Sequence, residues 1–68
     1  MEYTPYYISL DIDTKALHRL YAKLDEETRY WELTVSKAKN GLSHIRLAIN
    51  GAYTGYFRNL IDEVCNND

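Results

Sequence analysis

The stretch Tyr30–Asn50, YWELTVSKAKNGLSHIRLAIN, constrains the fold more tightly than any other part of the chain. Trp31, Leu33 and Val35 alternate with Glu32, Thr34 and Ser36, and Ile45, Leu47 and Ile49 alternate with His44, Arg46 and Ala48. Alternation of period two marks strands with one buried and one open face. Facing residues of an antiparallel pair share a face, so the register must set apolar against apolar. A two-residue Asn40-Gly41 turn puts Val35 opposite Arg46 and mixes the faces. A three-residue loop, Lys39-Asn40-Gly41, instead pairs Val35 with Ile45, Leu33 with Leu47 and Trp31 with Ile49. That loop is expected as a type I turn plus bulge, with Gly41 in the left-handed region that glycine enters cheaply.

The flanking segments supply one more strand and two helices. Pro5 holds its predecessor extended, and Tyr6–Ile12 alternates again, with Tyr6, Ile8, Leu10 and Ile12 on one face and Tyr7, Ser9 and Asp11 on the other. Asp13 or Thr14 then caps a helix through its side-chain oxygen. Ala16, Leu17, Leu20, Tyr21 and Leu24 follow at helical spacing as an apolar stripe, with Lys15, His18, Arg19 and Lys23 turned outward. Asp25, Glu26 and Glu27 end this helix, where cations are the favoured charge. After Asn50-Gly51 a second helix begins at Ala52 or Thr54 and carries Phe57, Leu60, Ile61, Val64 and Cys65 on one face. Gly55 inside that helix costs about 1 kcal/mol, which favours the later start. Asn66, Asn67 and Asp68 read as a frayed polar tail.

The order is β-α-β-β-α, an α+β arrangement. A crossover through the first helix makes strands one and two parallel. Strand three then fits between them and pairs antiparallel with both. The expected fold is a three-stranded sheet in the order 1-3-2 with two helices packed on one face. It looks like a ferredoxin-like fold without its final strand, and in element order alone it resembles the DinI family of small RecA regulators. The outer edge of Tyr6–Ile12 is left unpaired, which offers a route to a homodimer.

Composition narrows the function classes. Sixty-eight residues are read as one domain, and a chain of this size buries only about 60% of its unfolded surface. A net charge of −2 gives no general attraction to nucleic acid or anionic membranes. The single cysteine, Cys65, excludes an intrachain disulfide and fits a reducing compartment. No apolar run approaches the ~18 residues a membrane span needs, and no signal sequence is evident at the start. The expected location is the cytoplasm, with no membrane association. His18 and His44 have no second ligand at zinc spacing, and Cys65 reads as a small hydrophobe on the apolar helix face. No cofactor, no metal and no catalytic residue is expected.

What remains is surface. Seven tyrosines are many for this length, and tyrosine joins a large apolar area to a polar tip. The leading expectation is a non-enzymatic protein that binds another protein stoichiometrically, as a small regulator or inhibitor of phage or mobile-element type does. Tyr7, Tyr30, Tyr53 and Tyr56 are its candidate contacts, with Asp25, Glu26 and Glu27 setting orientation. The alternative is a module that binds single-stranded nucleic acid with Tyr7, His44 and Arg46 on the open sheet face. The central strand shows no aromatic there, and a Glu32–Arg46 cross-strand pair is expected in a merely solvated face.

Overall fold

The computed structural model describes residues 4–37 and 39–66; the first three residues and the last two, part of the expected tail, lie outside the described residues, as does residue 38. Three strands and two helices follow in the expected order: β1 (Pro5–Asp13), α1 (Thr14–Asp25), β2 (Trp31–Lys37), β3 (Leu42–Asn50) and α2 (Thr54–Asn66), with a 3-10 turn over Gly51–Tyr53. The sheet order is β1-β3-β2, and β3 pairs antiparallel with both neighbours.

The register is the one that face-matching demands. Val35 faces Ile45, Leu33 faces Leu47 and Trp31 faces Ile49. On the other side of β3, Tyr6 faces Ile49, Ile8 faces Leu47 and Leu10 faces Ile45. Each apolar row therefore runs straight across three strands. The turn differs in detail from the expectation. Asn40 (φ 62°) and Gly41 (φ 75°) are both left-handed, which is the requirement of a type I′ turn rather than type I. The Leu42 amide closes it on the Lys39 carbonyl at 3.3 Å. Asn40 tolerates the left-handed region better than most residues, and the strand ladder ends at Lys37–Ser43. One more residue therefore lies on the β2 side than on the β3 side between ladder and turn.

Both helices roof the same face. Ala16, Leu17, Leu20 and Leu24 of α1 and Phe57, Leu60, Ile61 and Val64 of α2 are buried with Ile12, Ile45, Leu47 and Ile49. Asp13 caps α1 by accepting the Ala16 amide at 2.7 Å. The second helix takes the later start, so Gly55 falls in its first turn, where the Cβ position is open space. Gly51 is held for a different reason. Its amide donates to the Thr4 carbonyl at 2.6 Å, and a Cβ there would stand 3.2 Å from that oxygen. The close approach fastens the lead-in of β1 to the end of β3.

The roof is narrower than the stripes suggested. Tyr21 is 45% exposed and Val35 38% exposed, so neither belongs to the buried core. Cys65 is exposed rather than packed on the apolar face. Arg19, expected outward, is turned inward. Its Nε and Nη2 donate to the Val64 carbonyl at 3.0 and 2.7 Å. That carbonyl lies in the last turn of α2, where helical amide partners run out and the helix dipole favours a cation. A Lys23–Glu63 pair at 3.3 Å joins the same two helices at the surface.

Candidate protein-binding surface

The face of the sheet turned away from the helices is uncovered and forms a grid of three rows. Tyr7, Ala48 and Glu32 make the first, Ser9, Arg46 and Thr34 the second, and Asp11, His44 and Ser36 the third. The middle position of the first row is the small Ala48. Its short side chain leaves a depression of about 210 Å³ rimmed by Tyr7, Glu32, Thr34 and Arg46. Across the same gap Arg46 leans diagonally over Tyr7, its guanidinium carbon 4.3 Å from the ring centroid. Diagonal neighbours on a sheet are within reach of long and aromatic side chains, and a guanidinium over an aromatic face is attracted by the ring quadrupole. The expected Glu32–Arg46 pair is accordingly replaced by the Arg46–Tyr7 stack. One row away, His44 Nδ1 and Asp11 Oδ1 are 2.8 Å apart. Tyr7 remains 51% exposed and holds a fixed position without being consumed.

The tyrosines at the start of α2 are in another condition. Tyr56 donates its hydroxyl to Glu27 Oε2 at 2.5 Å. Glu27 Oε1 accepts the amides of Thr28 and Arg29, each at 3.0 Å, and the Arg29 guanidinium at 3.1 Å. Arg29 in turn lies over the rings of Tyr53 and Tyr56, at 5.1 and 4.5 Å from their centroids. The Glu27 side chain is only 4% exposed. The Tyr56 hydroxyl, then the Arg29 amide and guanidinium, hold its carboxyl down at about 2. The same hydrogen bond pushes the Tyr56 hydroxyl up, and Glu27 raises Arg29. This cluster bolts the loop after α1 to the first turn of α2.

The candidate contacts therefore separate. Tyr7, Arg46 and His44 share the open sheet face. Tyr53, Tyr56 and Glu27 are joined to one another through Arg29. Asp25, the last residue of α1, and Glu26, its C-cap, are exposed beside that loop. Tyr30, next to Trp31 at the entry of β2, is 48% exposed. Sequence reading did not single out Arg29, whose partners lie 24 and 27 positions away; only the neighbouring Glu27 was a local signal. It also missed Arg58, which donates to the Tyr6 hydroxyl at 2.8 Å.

The remaining chemistry is sparse. Partial desolvation against the helix surface, and then the nearby Asp62 and Asp13 carboxylates, push the exposed Cys65 thiol up, which disfavours the thiolate a nucleophile needs. Among the described residues no group of three or more His, Cys, Asp and Glu side chains is placed to hold a metal ion. No helix of the described residues is long and apolar enough to cross a membrane. In comparisons with known proteins, no family model, no curated protein and no solved structure matches the chain.

Proposed function

We propose that this is a small non-enzymatic interaction protein that binds another protein stoichiometrically, as a regulator or inhibitor, through the uncovered face of its sheet. The observation that carries this reading is the depression over Ala48, with the Tyr7–Arg46 stack on its rim. Tyrosine and arginine dominate the energetics of protein interfaces when they surround a pocket that a partner side chain can fill. Here both are already positioned, so little side-chain freedom is lost on binding. Glu32 opposite Tyr7 and the His44–Asp11 pair give the rim both signs of charge, which favours a mixed polar partner over a polyanion. Single-stranded nucleic acid fits this face less well. One face of the Tyr7 ring is covered by Arg46, and the carboxylates of Asp11 and Glu32 on the same sheet face disfavour a phosphate backbone.

The test is affinity capture from the native host with the wild-type chain and two variants. Ala48→Tyr fills the depression, and Arg46→Glu removes the stack and reverses its charge. The expected result is a protein retained in a defined ratio by wild type and lost with both variants, their circular dichroism unchanged. A partner retained equally by all three overturns the reading. Binding to mixed single-stranded oligonucleotides that falls steeply with salt would replace it with the nucleic-acid alternative.

A further inference from the structure

Among the described residues, both edge strands of the sheet present an unpaired row of backbone groups, and the two edges are not equivalent. Proteins blunt such edges with charge, proline or a bulge. In β1, nine consecutive residues pair with β3 without a bulge, and the one proline stands at the first position. On the helix side of this edge Ile8 and Leu10 stay half-exposed beside Ile61, around a depression of about 230 Å³ flanked by Arg58 and Asp62.

The sequence of β1 restricts what can lie against it. A two-fold axis relating two antiparallel edge strands must stand normal to the sheet. Both helix layers then fall on one side, and facing residues must differ by an even number of positions. The axis that uses the whole strand passes through Ser9, the midpoint of Pro5–Asp13. That register sets Ile8 against Leu10 and Tyr6 against Ile12 on the helix side, and Tyr7 against Asp11 on the open side. Apolar meets apolar throughout, and a phenol meets a carboxylate. The corresponding axis for β2 passes through Thr34 and sets Trp31 against Lys37, an apolar side chain against a cation.

We propose that a second copy of this chain occupies the β1 edge, pairing antiparallel about Ser9 to give a continuous six-stranded sheet. The helices support the same arrangement. Arg58 sits over the Tyr6 end of β1 through its bond to the Tyr6 hydroxyl, and Asp62 lies one turn farther along α2. Two antiparallel copies of α2 therefore bring Arg58 of each toward Asp62 of the other. The Ile8, Leu10 and Ile61 depressions merge into one apolar seam. This pairing is independent of the binding reading above and needs no partner protein for its test.

Sedimentation of the wild-type chain at about 100 µM, where a dimer with a dissociation constant of about 10 µM is mostly associated, should give close to twice the monomer mass of 8.0 kDa. In a Cys65→Ser background, Ser9→Cys places two thiols at the axis and should oxidise almost wholly to a covalent dimer. Ser36→Cys, exposed on the β2 edge, should not. Arg58→Asp and Asp62→Arg should each weaken the dimer, and mixing the two variants should restore it as a heterodimer. A monomer at that concentration, or a Ser9→Cys yield no higher than that of Ser36→Cys, overturns the proposal.

Discussion

Along β3, neighbouring side chains meet opposite conditions. Ile45, Leu47 and Ile49 are 0% exposed, while His44 and Arg46, each immediately before one of them, stand in solvent. Following the apolar rows sideways gives a second contrast. Leu47 is sealed, yet Ile8 and Leu33 at either end of its row are only partly covered, and Val35 beside Ile45 is exposed. Face decides which way a side chain points; except at Ile12, where β1 runs into α1, distance from the middle strand decides how much water it loses. Two helices are just wide enough to roof one strand fully. The arginine–tyrosine contacts of Arg29 and Arg46 repeat this contrast on a smaller scale. Arg29 closes a cluster that holds two segments together, whereas Arg46 steadies one ring on a face that remains open.

The largest expected effect tests the roof. Leu47→Ala removes a sealed side chain that cannot be replaced by solvent, and should cost about 2–5 kcal/mol in denaturant unfolding. Val35→Ala, on the same face at the flank, should cost well under about 1 kcal/mol, since its side chain already meets water. Equal losses at the two sites would show that the roof extends farther than the burial pattern indicates.

An intermediate effect separates the two arginines. Glu27→Gln keeps the shape but loses the charge that Tyr56, Arg29 and two amides bond, and should lower stability by about 1 kcal/mol, the net worth of such bonds beside exposed partners. The pH dependence has a definite sign. The Glu27 carboxyl is at about 2 in the folded chain against 4.5 for the free group. Its contribution is therefore present above pH 4.5 and fades as pH falls toward 2. Thermal unfolding between those values should show wild type losing its advantage over the variant. A difference that stays constant across that window would mean the Glu27 cluster is not a source of acid sensitivity.

The smallest effect on stability belongs to the open face. Arg46→Glu should shift unfolding by no more than about 0.5 kcal/mol, the usual range for exposed substitutions, even where it abolishes partner capture. A larger loss would move the Arg46–Tyr7 stack from the functional side of the comparison to the structural side.

The strands and their register were legible because period two is a local signal and apolar pairing admits one solution. A helix cap at Asp13 or Thr14 was legible for the same reason, and the structure settles on Asp13, whose acceptor and the Ala16 donor are three residues apart. Exposure at Tyr21, Val35 and Cys65 was not. Periodicity states a direction, and says nothing of where the covering element stops. The Asn40 conformation was missed because matching faces counts loop residues without fixing their torsions. At the surface, Tyr7 and Arg46 were correctly placed on one face, but which of them would touch depended on Ala48 being small enough to let Arg46 cross. The carbonyl partner of Arg19 and the tyrosine partners of Arg29 lie too far along the chain for any local pattern to announce them.

The pairing of β1 with β3 has a consequence for the order of assembly. The hairpin closes over a short span: Lys37 meets Ser43 six positions on. The nearest pair of β1 with β3 joins Asp13 to Leu42, twenty-nine positions apart. Loop closure scales with the logarithm of that separation, so the first contact of β1 costs about 1.4 kcal/mol more chain entropy than that of β2. Contacts of this span form late and slow the search. Amides of the β1–β3 ladder should therefore gain protection after those of β2–β3 in pulse-labelled refolding. Until they do, the hydrogen-bonding groups along one side of β3 have only water to satisfy them.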